Sequence, residues 1–249
     1  MTAAIRSETT SSDRMTSSRI RFRRVHLRSL PRAEATELLD RLGRIMVAAG
    51  DADGDGTWAG RDWDGRRARV LEVADIEVAL VDGEIVGFVT FKLGRLLGRP
   101  CLHLMAAYIL PEYQGRHVAL ALNARIATTV VARRPWRSHY LVMDVLNPIA
   151  FDAWRARSGD PQNFFPRIDG LTSPSPHLEV AASELASDQY GHLTFDRDTG
   201  VLAAKTLPRA TEGPASGNEA VDAHFSAHVD HRKGDTVLVV IGLYATERG

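Results

Sequence analysis

The segment at residues 110–122 contains the residue types and spacing that best fit a chemical role. It opens with a turn containing proline and glycine, follows the apolar stretch at 101–109, and leads directly into a helix begun by Gly115, Arg116 and His117. A strand that runs straight into a helix presents backbone N–H groups without intrahelical partners, at the positive end of the helix dipole. Such junctions bind phosphate groups. The segment therefore predicts a site for a phosphorylated cofactor.

The turn has the sequence QGRHVA at residues 114–119, which resembles the Q/R-x-x-G-x-G/A signature of the GNAT acyltransferase superfamily. That family uses the turn to bind the pyrophosphate of acyl-coenzyme A, so the resemblance implies acetyl-CoA or another acyl-CoA as co-substrate. It also implies a set of cofactor-binding positions. These are Ala107, Ile109, Gln114, Gly115, Arg116, His117, Val118, Ala119 and Asn147.

His117 departs from the signature, because the family usually has its first signature glycine at this position. Glycine lets the backbone approach phosphate closely, but the first turn of a helix has an ordinary negative φ and does not strictly require glycine. We therefore expect helical backbone at His117. Its side chain either donates a hydrogen bond to a phosphate or weakens the site through its bulk.

Transfer of an acyl group to an amine needs a base, because a free amine has a pKa near about 10 and is mostly protonated at neutral pH. In the histone-acetylating branch of the family, this base is a Glu eleven residues before the signature Gln. The same count from Gln114 leads to His103, whose imidazole can titrate near neutrality. The resemblance thus implies His103 as the base, directly or through water, with N–H groups at 107–109 polarising the thioester. The alternative is a half-buried strand histidine that donates to a neighbour.

Family members often protonate the leaving thiolate with a Tyr on the helix after the next strand. That helix carries Trp154 here, which has no acidic proton to give. Tyr108 or Tyr140 then takes the role, or no acid is needed because a thiolate leaves readily. Phe151 and Trp154 are predicted to lie in the core. The resemblance implies that Asn147 contacts the pantetheine arm. Asn147 also fits the N-cap of the helix, and the two roles are compatible.

An Asp-rich segment at residues 50–65 has three interpretations. The spacing of Asp51, Asp53, Asp55 and Asp62 matches an EF-hand calcium loop, except that Asp replaces the bidentate Glu at position twelve. A solvated acidic loop has the same composition. In GNAT proteins this segment lines the acceptor side, so the resemblance implies a site for a cationic amine. The substrate-binding residues of that interpretation are Asp55, Trp58, Asp62 and Trp63.

Three histidines, His224, His228 and His231, have the spacing i, i+4 and i+7 of a metal-binding helix face. However, the sequence at 232–234 predicts that the helix ends there, and an exposed polar face explains the spacing equally well. We predict no metal as part of the functional site.

The order of the remaining elements matches the GNAT core between about residues 70 and 160, so the resemblance implies an α/β fold with a GNAT-like mixed central sheet flanked by helices, together with an extended C-terminal α+β region. The core elements are a strand at 19–25, a helix at 31–49, a hairpin at 76–92 around Asp82-Gly83, a strand at 101–109, a helix at 116–132, a strand at 140–146 and a helix at 148–157. The later elements are a loop at 163–176, a short helix at 181–187, a hairpin at 192–207, a helix at 219–229 and a buried strand at 236–244. One late strand should complete the sheet. The predicted domains are a disordered tail at 1–18, an acyltransferase core at 19–160 and an extension at 161–249.

Composition limits the class of protein. The 31 basic and 31 acidic residues cancel, which disfavours a nucleic-acid partner or an anionic membrane surface. The single cysteine, Cys101, excludes an internal disulfide framework and fits the cytoplasm. No apolar run approaches the roughly 20 residues of a membrane span. These features, with the resemblance, predict an acyl-CoA-dependent N-acyltransferase that acts on a small-molecule amine by direct attack.

Two alternatives stay open. One is a GNAT-fold protein without transferase activity that serves as a binding module. The other is different chemistry in a biosynthetic pathway, including transfer from an acyl carrier protein, for which the long C-terminal region would provide docking surface. A homodimer is compatible with either alternative and with the transferase.

Overall fold

The computed structural model describes residues 20–50, 67, 75–133, 138–206 and 214–243. Its strands are β1 Arg21–His26, β2 Asp75–Val81, β3 Glu84–Leu96, β4 Arg99–Ile109, β5 His139–Val145, β6 Phe164–Phe165, β7 Val201–Leu202 and β8 Thr236–Leu243. Its helices are α1 Arg32–Gly50, α2 Val118–Arg133, α3 Pro148–Arg157, α4 Pro176–Tyr190 and α5 Glu219–His228. None of these described helices is long and apolar enough to cross a membrane.

In the described residues, eight strands form one mixed sheet in the order β1-β2-β3-β4-β5-β8-β6, with β7 paired to β8. Strands β4 and β5 are parallel, whereas their neighbours on either side are antiparallel. A parallel pair needs a crossover connection, and α2 supplies it. The predicted mixed α/β sheet flanked by helices is confirmed.

The β2–β3 hairpin shows how closely the local sequence dictates its turn. Asp82 and Gly83 have φ values of 51° and 89°. Two consecutive positive φ values are typical of the type I′ turn, which matches the twist of the flanking strands and favours Asp-Gly. The hairpin predicted at this dipeptide is therefore confirmed.

Helices cover both faces of the sheet. On one face, α2, α3 and α5 pack with alternate strand residues such as Leu102 and Leu104 of β4. On the other face, α1 packs over the β1–β3 side, and α4 packs on Cys101, Tyr140 and Val142. Side chains alternate along a strand, so His103 lies on the same face as Cys101. We call this the α4 face.

A buried carboxylate connects α2 to the sheet. Glu77 of β2 is 1% exposed and accepts hydrogen bonds from Arg24 of β1 at 2.9 Å and Arg125 of α2 at 2.6 Å. A buried charge needs paired, hydrogen-bonded partners, and two guanidinium groups supply them here. The ion pairs fix α2, and therefore its N-terminus, relative to the strands.

The region after Gly159 differs from the sequence prediction in three places. Helix α4 covers 15 residues instead of a short helix at 181–187. The predicted loop at 163–176 contains β6, whose two phenylalanines are buried and pair with β8. The predicted hairpin at 192–207 is reduced to β7 and an isolated bridge between Phe195 and Leu202. Burial against β8, a contact distant in sequence, decides the extent of these elements.

Candidate active site

Strands β4 and β5 pair over only part of their length. Residues 101–104 of β4 pair with residues 140–143 of β5, whereas β4 continues along β3 to Ile109 and β5 continues along β8 to Val145. The β3–β4 register also shifts between Thr90 and Phe91, which leaves Met105 as the extra residue of a β-bulge. Each strand keeps its outer partner while a gap opens between the two.

Backbone groups of β4 point into this gap. Leu110 donates its N–H to the carbonyl of Val86 at 2.9 Å, so this residue faces β3. In an antiparallel ladder successive residues alternate in direction, so the N–H groups of Ile109 and Ala107 face the gap. Gln114 supports this orientation, because its Nε2 donates to the carbonyl oxygen of Ile109 at 3.0 Å. Ala107 and Ile109, two predicted cofactor-binding residues, thus offer donors to a ligand in the gap.

The turn between β4 and α2 has two residues with left-handed backbone. Gly115 has φ 71° and His117 has φ 57°. The helix begins at Val118, and Ala121 N–H donates to the His117 carbonyl at 2.9 Å. The helix therefore begins two residues later than predicted, and the expectation of a negative φ at His117 was wrong. A non-glycine residue with left-handed backbone costs about 1–2 kcal/mol. This cost explains why the family signature has glycine at the position of His117.

The first backbone N–H groups of α2 have no hydrogen-bond acceptor within the helix. Because the bond from Ala121 to His117 opens the helix, the N–H groups of Val118, Ala119 and Leu120 precede it and have no acceptor within the helix. Arg116 is exposed beside them, and its guanidinium lies 5.4 Å from the Tyr113 ring centroid. Three N–H groups, the helix dipole and a guanidinium together suit a phosphate group.

Helix α3 begins at the end of β5, on the other side of the gap. Asn147 is its N-cap and accepts a hydrogen bond from the Ala150 N–H at 2.8 Å, with Pro148 in the first turn. The capping role predicted for Asn147 is therefore confirmed. Phe151 is fully buried, and Trp154 is half-buried against the same core. Both aromatic residues are core residues, as predicted.

His103, the predicted base, lies on the α4 face near the end of the parallel pairing. It is only 4% exposed, so it is more buried than the half-buried strand residue of the alternative interpretation. Its Nε2 lies 3.3 Å from the hydroxyl oxygen of Tyr190, the last residue of α4, and the rings meet edge to face. A residue from the C-terminal extension therefore contacts the predicted base.

Tyr190 connects His103 to an ion pair. Its hydroxyl donates to Asp144 Oδ2 at 3.0 Å, and Lys205 Nζ lies 3.4 Å from the same oxygen. Lys205 Nζ also lies 4.8 Å from the Tyr190 ring centroid. The side chains of Asp144 and Lys205 are only 14% and 16% exposed. We call His103, Asp144, Tyr190 and Lys205 the His103 cluster.

Sequence reasoning did not find Asp144, Tyr190 or Lys205, although two signals were present. Asp144 is the one charged residue in the apolar strand β5. Lysine is rare in this chain, with three residues against 28 arginines, and Lys205 is one of the three. A second, Lys92 of β3, is the register partner of His103 and donates to Gln189, the neighbour of Tyr190, at 2.8 Å. Two of three lysines thus lie beside the predicted base.

The other predicted site residues are not brought into this cluster. Tyr108 is half-buried and packs against Phe88 on the α1 side, with ring centroids 5.8 Å apart. The predicted acceptor and calcium loop lies outside the described residues. Its predicted substrate-binding residues are Asp55, Trp58, Asp62 and Trp63.

The three spaced histidines do not share one helix face, although the ring centroids of His224 and His228 lie 5.1 Å apart on α5. Helix α5 ends at His228, and His231 lies in the following 3₁₀ turn. His224 is buried, stacks on Phe151, and has Nε2 at 3.1 Å from the Thr199 carbonyl. Burial, and then the nearby His228, lower the pKa of His224. Within the described ranges, no group of three or more His, Cys, Asp or Glu side chains is arranged to hold a metal ion.

Comparison with known proteins identifies the family of the segment that carries the gap and the turn. Residues 53–151 match the family described as the acetyltransferase (GNAT) family. This segment is a GNAT acetyltransferase domain. The GNAT resemblance seen in the turn is confirmed, and the match includes His103, Asp144 and the complete α2 helix. Tyr190 and Lys205 lie outside it. No curated protein matches the chain.

Solved structures with similar folds have low sequence identity to this chain. The PaiA N-acetyltransferase of Thermoplasma acidophilum, solved with coenzyme A, is 15% identical with a TM-score of 0.41, covering 61% of this chain and 94% of that one. The IAA acetyltransferase of Bacillus cereus is 12% identical with a TM-score of 0.43, covering 90% and 100%. An aminoglycoside acetyltransferase from an uncultured soil metagenomic sample, in complex with sisomicin, is 12% identical with a TM-score of 0.40, covering 63% and 97%.

Proposed function

We propose that this GNAT protein is an acyl-CoA-dependent N-acyltransferase that transfers an acetyl group to a small-molecule amine. One observation carries the proposal. The gap between β4 and β5 opens beside a strand-to-helix turn with three N–H donors, all within the segment that matches the family. The gap can receive an extended thioester arm while the turn holds its phosphates.

Each part of the donor has a matching group along this path. The N–H groups of Val118 and Ala119, together with Arg116, bind the pyrophosphate. The Asn147 side chain, held at the α3 N-cap, contacts the amides of the pantetheine arm. The N–H groups of Ala107 and Ile109 bind the thioester oxygen and stabilise the negative charge that develops on it during attack.

In the transfer itself, the amine nitrogen attacks the thioester carbon, the C–S bond breaks, and the amine gives up one proton. His103 accepts this proton. Because His103 is 4% exposed, the proton reaches it through a bound water or a neighbouring polar group rather than from bulk solvent. The acidic loop with Asp55, Trp58, Asp62 and Trp63 contributes the binding of a cationic acceptor. The buried, reduced Cys101 fits a cytoplasmic location.

Titration calorimetry with acetyl-CoA tests the donor site. Gly115→Ala adds a methyl group where the phosphates are proposed to bind, and we expect at least about tenfold weaker binding. Gly98→Ala is the matched control, because Gly98 and Gly115 have φ values of 73° and 71° and an added Cβ meets nothing within 4 Å at either position. The two variants carry the same backbone strain, so only the ligand distinguishes them. Wild-type protein that binds neither acetyl-CoA nor a longer acyl-CoA would contradict the function.

Release of coenzyme A thiol in the presence of a panel of primary amines tests transfer. The alternative function is a GNAT-fold protein without transferase activity that serves as a binding module, and the left-handed backbone at His117 favours it, since a glycine would suit that position better. Binding without turnover on any amine would support this alternative. Native mass spectrometry of the purified protein would identify a retained coenzyme and its acyl group by mass.

A further inference from the structure

The hydrogen bonds of the His103 cluster decide where the protons are. Tyr190 has one hydroxyl proton, and it donates that proton to Asp144 Oδ2. The carboxylate of Asp144, ion-paired with Lys205, can only accept. The Tyr190 oxygen is therefore an acceptor in its contact with His103 Nε2, so Nε2 must carry a hydrogen. In a neutral imidazole this leaves Nδ1 as the basic nitrogen.

We infer that Asp144 and Tyr190 are positioning residues that hold His103 in the Nε2–H tautomer, with Nδ1 as the atom that accepts a proton. Lys205 compensates the charge of Asp144 and lies against the Tyr190 ring, so it fixes both residues. The consequence for catalysis rests on the proposed function, whereas the tautomer itself does not.

In the proposed reaction His103 first accepts a proton and then gives it up, so it ends in its starting protonation state. As the N–C bond forms, Nδ1 takes the proton that the amine loses, by way of the bound water or neighbouring polar group. The resulting imidazolium donates from Nε2 to Tyr190, which donates to Asp144, so a carboxylate compensates the new positive charge through one hydroxyl group. Nδ1 then gives its proton to the departing thiolate. Lys92, the register partner of His103, donates to Gln189 beside Tyr190.

The position of these residues in the chain has a second consequence. His103 and Asp144 lie inside the segment that matches the family, at residues 53–151, whereas Tyr190 and Lys205 come from the C-terminal extension. Helix α4 and the segment after β7 thus carry the groups that orient the base. The extension is therefore part of the active site and not only a structural addition to the sheet.

Nitrogen NMR of the full chain, labelled with ¹⁵N-histidine, tests the tautomer directly. The His103 signals are assigned by their loss in His103→Gln. At a pH where His103 is neutral, we expect wild-type Nε2 to carry the hydrogen and Nδ1 to have none. In Tyr190→Phe the fixed acceptor is lost, and we expect the two nitrogen shifts to move toward each other as the tautomers exchange.

A double variant, Asp144→Leu with Lys205→Met, makes the sharper test. It removes both charges together, so no unpaired ion is left buried. The Tyr190 proton then loses its carboxylate acceptor and turns to His103 Nε2, and we expect the tautomer to invert to Nδ1–H. A wild-type Nδ1–H tautomer, or a double variant that keeps Nε2–H, would overturn the inference. Signals of the other eight histidines report whether each variant is folded.

The kinetic test separates this inference from the function on which it rests. With any amine that is acylated, Tyr190→Phe should lower kcat about 10- to 100-fold while the Kd for acetyl-CoA stays unchanged. A protein that does not bind acetyl-CoA would contradict the proposed function and leave the NMR result intact. Unchanged kcat in Tyr190→Phe, in an enzyme that does acylate amines, would contradict the positioning role alone.

Discussion

Helix α4 carries a tyrosine–histidine pair at each of its ends, and the two pairs differ in their third partner. At the N-terminal end, His177 of the helix contacts the hydroxyl of Tyr140 on β5. At the C-terminal end, Tyr190 of the helix contacts His103 on β4. In both pairs a cation lies over the tyrosine ring, with Arg99 at 5.9 Å from Tyr140 and Lys205 at 4.8 Å from Tyr190.

The difference is a carboxylate. The Tyr190 hydroxyl donates a hydrogen bond to Asp144, so a positive charge on His103 would have a nearby negative group. For His177, burial and the nearby Arg99 lower the pKa, so both disfavour the charged form of that imidazole. We therefore expect the same two side chains to form a proton-accepting site at His103 and a structural contact at His177, depending on which charge the third residue supplies.

The largest expected difference between the pairs is in turnover. His103→Gln should lower kcat about 10²- to 10⁴-fold, because it removes the proposed base. His177→Gln should leave kcat within about twofold, since His177 has no proposed role in the reaction. Rates are measured by release of coenzyme A thiol, with acetyl-CoA affinity as the control for an intact donor site. Equal loss in both variants would remove the functional distinction.

The next effect is on stability, and it comes from the charges. Asp144→Ala leaves the mostly buried ammonium of Lys205 without its counter-ion, and we expect a loss of roughly 3 kcal/mol in the free energy of unfolding. Arg99→Ala removes only a cation over a ring, which contributes about 0.5–1 kcal/mol. Urea unfolding of both variants measures the difference. A smaller loss in Asp144→Ala than in Arg99→Ala would be incompatible with a buried ion pair at the His103 cluster.

Removing each tyrosine hydroxyl refines the comparison. Tyr190→Phe removes a hydrogen bond to a carboxylate as well as the contact with His103. We expect the free energy of unfolding to fall by about 2 kcal/mol. Tyr140→Phe removes a neutral contact with His177, and we expect the free energy of unfolding to fall by about 1 kcal/mol. Chemical denaturation again provides the measurement. The test is whether Tyr190→Phe is destabilised more than Tyr140→Phe. A larger loss in Tyr140→Phe would argue against the hydrogen bond between Tyr190 and Asp144.

The smallest effect is a pH dependence at the His177 pair. Because the pKa of His177 is lowered in the folded protein, the unfolded chain takes up this proton first as the pH falls below about 6.5. The free energy of unfolding should therefore decrease as the pH falls through this range, and His177→Gln should remove part of the decrease.

A remaining decrease is expected in that variant, since the lowered pKa of His224 acts in the same direction. Urea midpoints at about pH 7.5 and about pH 5.5 compare the wild type with His177→Gln. A variant with the same midpoint difference as the wild type would show that His177 is not the source.

Much of the fold and part of the site could be predicted because their signals are local. The Asp82-Gly83 dipeptide specifies its turn through positive φ values, and Asn147 before Pro148 specifies a helix start. The QGRHVA segment predicted a donor site and indicated the matching family from six consecutive residues. Prediction failed at His117, where the residue pattern contained no information about the sign of φ.

The rest of the site could not be predicted because its contacts are distant in sequence. His103 and Tyr190 are separated by 87 positions, and Asp144 meets Lys205 only because β5, α4 and the segment after β7 pack on one face of the sheet. No periodicity or motif encodes which end of α4 reaches which strand. Which strand each end of α4 reaches depends on the length of the helix. The helix has 15 residues and is longer than the short helix predicted at 181–187.

The amino-acid sequence by itself determined the family that the core matches, the position of the turn proposed to bind phosphate and the choice of His103 as the candidate base. Only the tertiary structure decided which nitrogen of His103 is basic and that the C-terminal extension controls it. The physical reason is that a turn or a cap depends on neighbours along the chain, whereas a tautomer depends on the donors and acceptors that packing brings within about 3 Å of the ring.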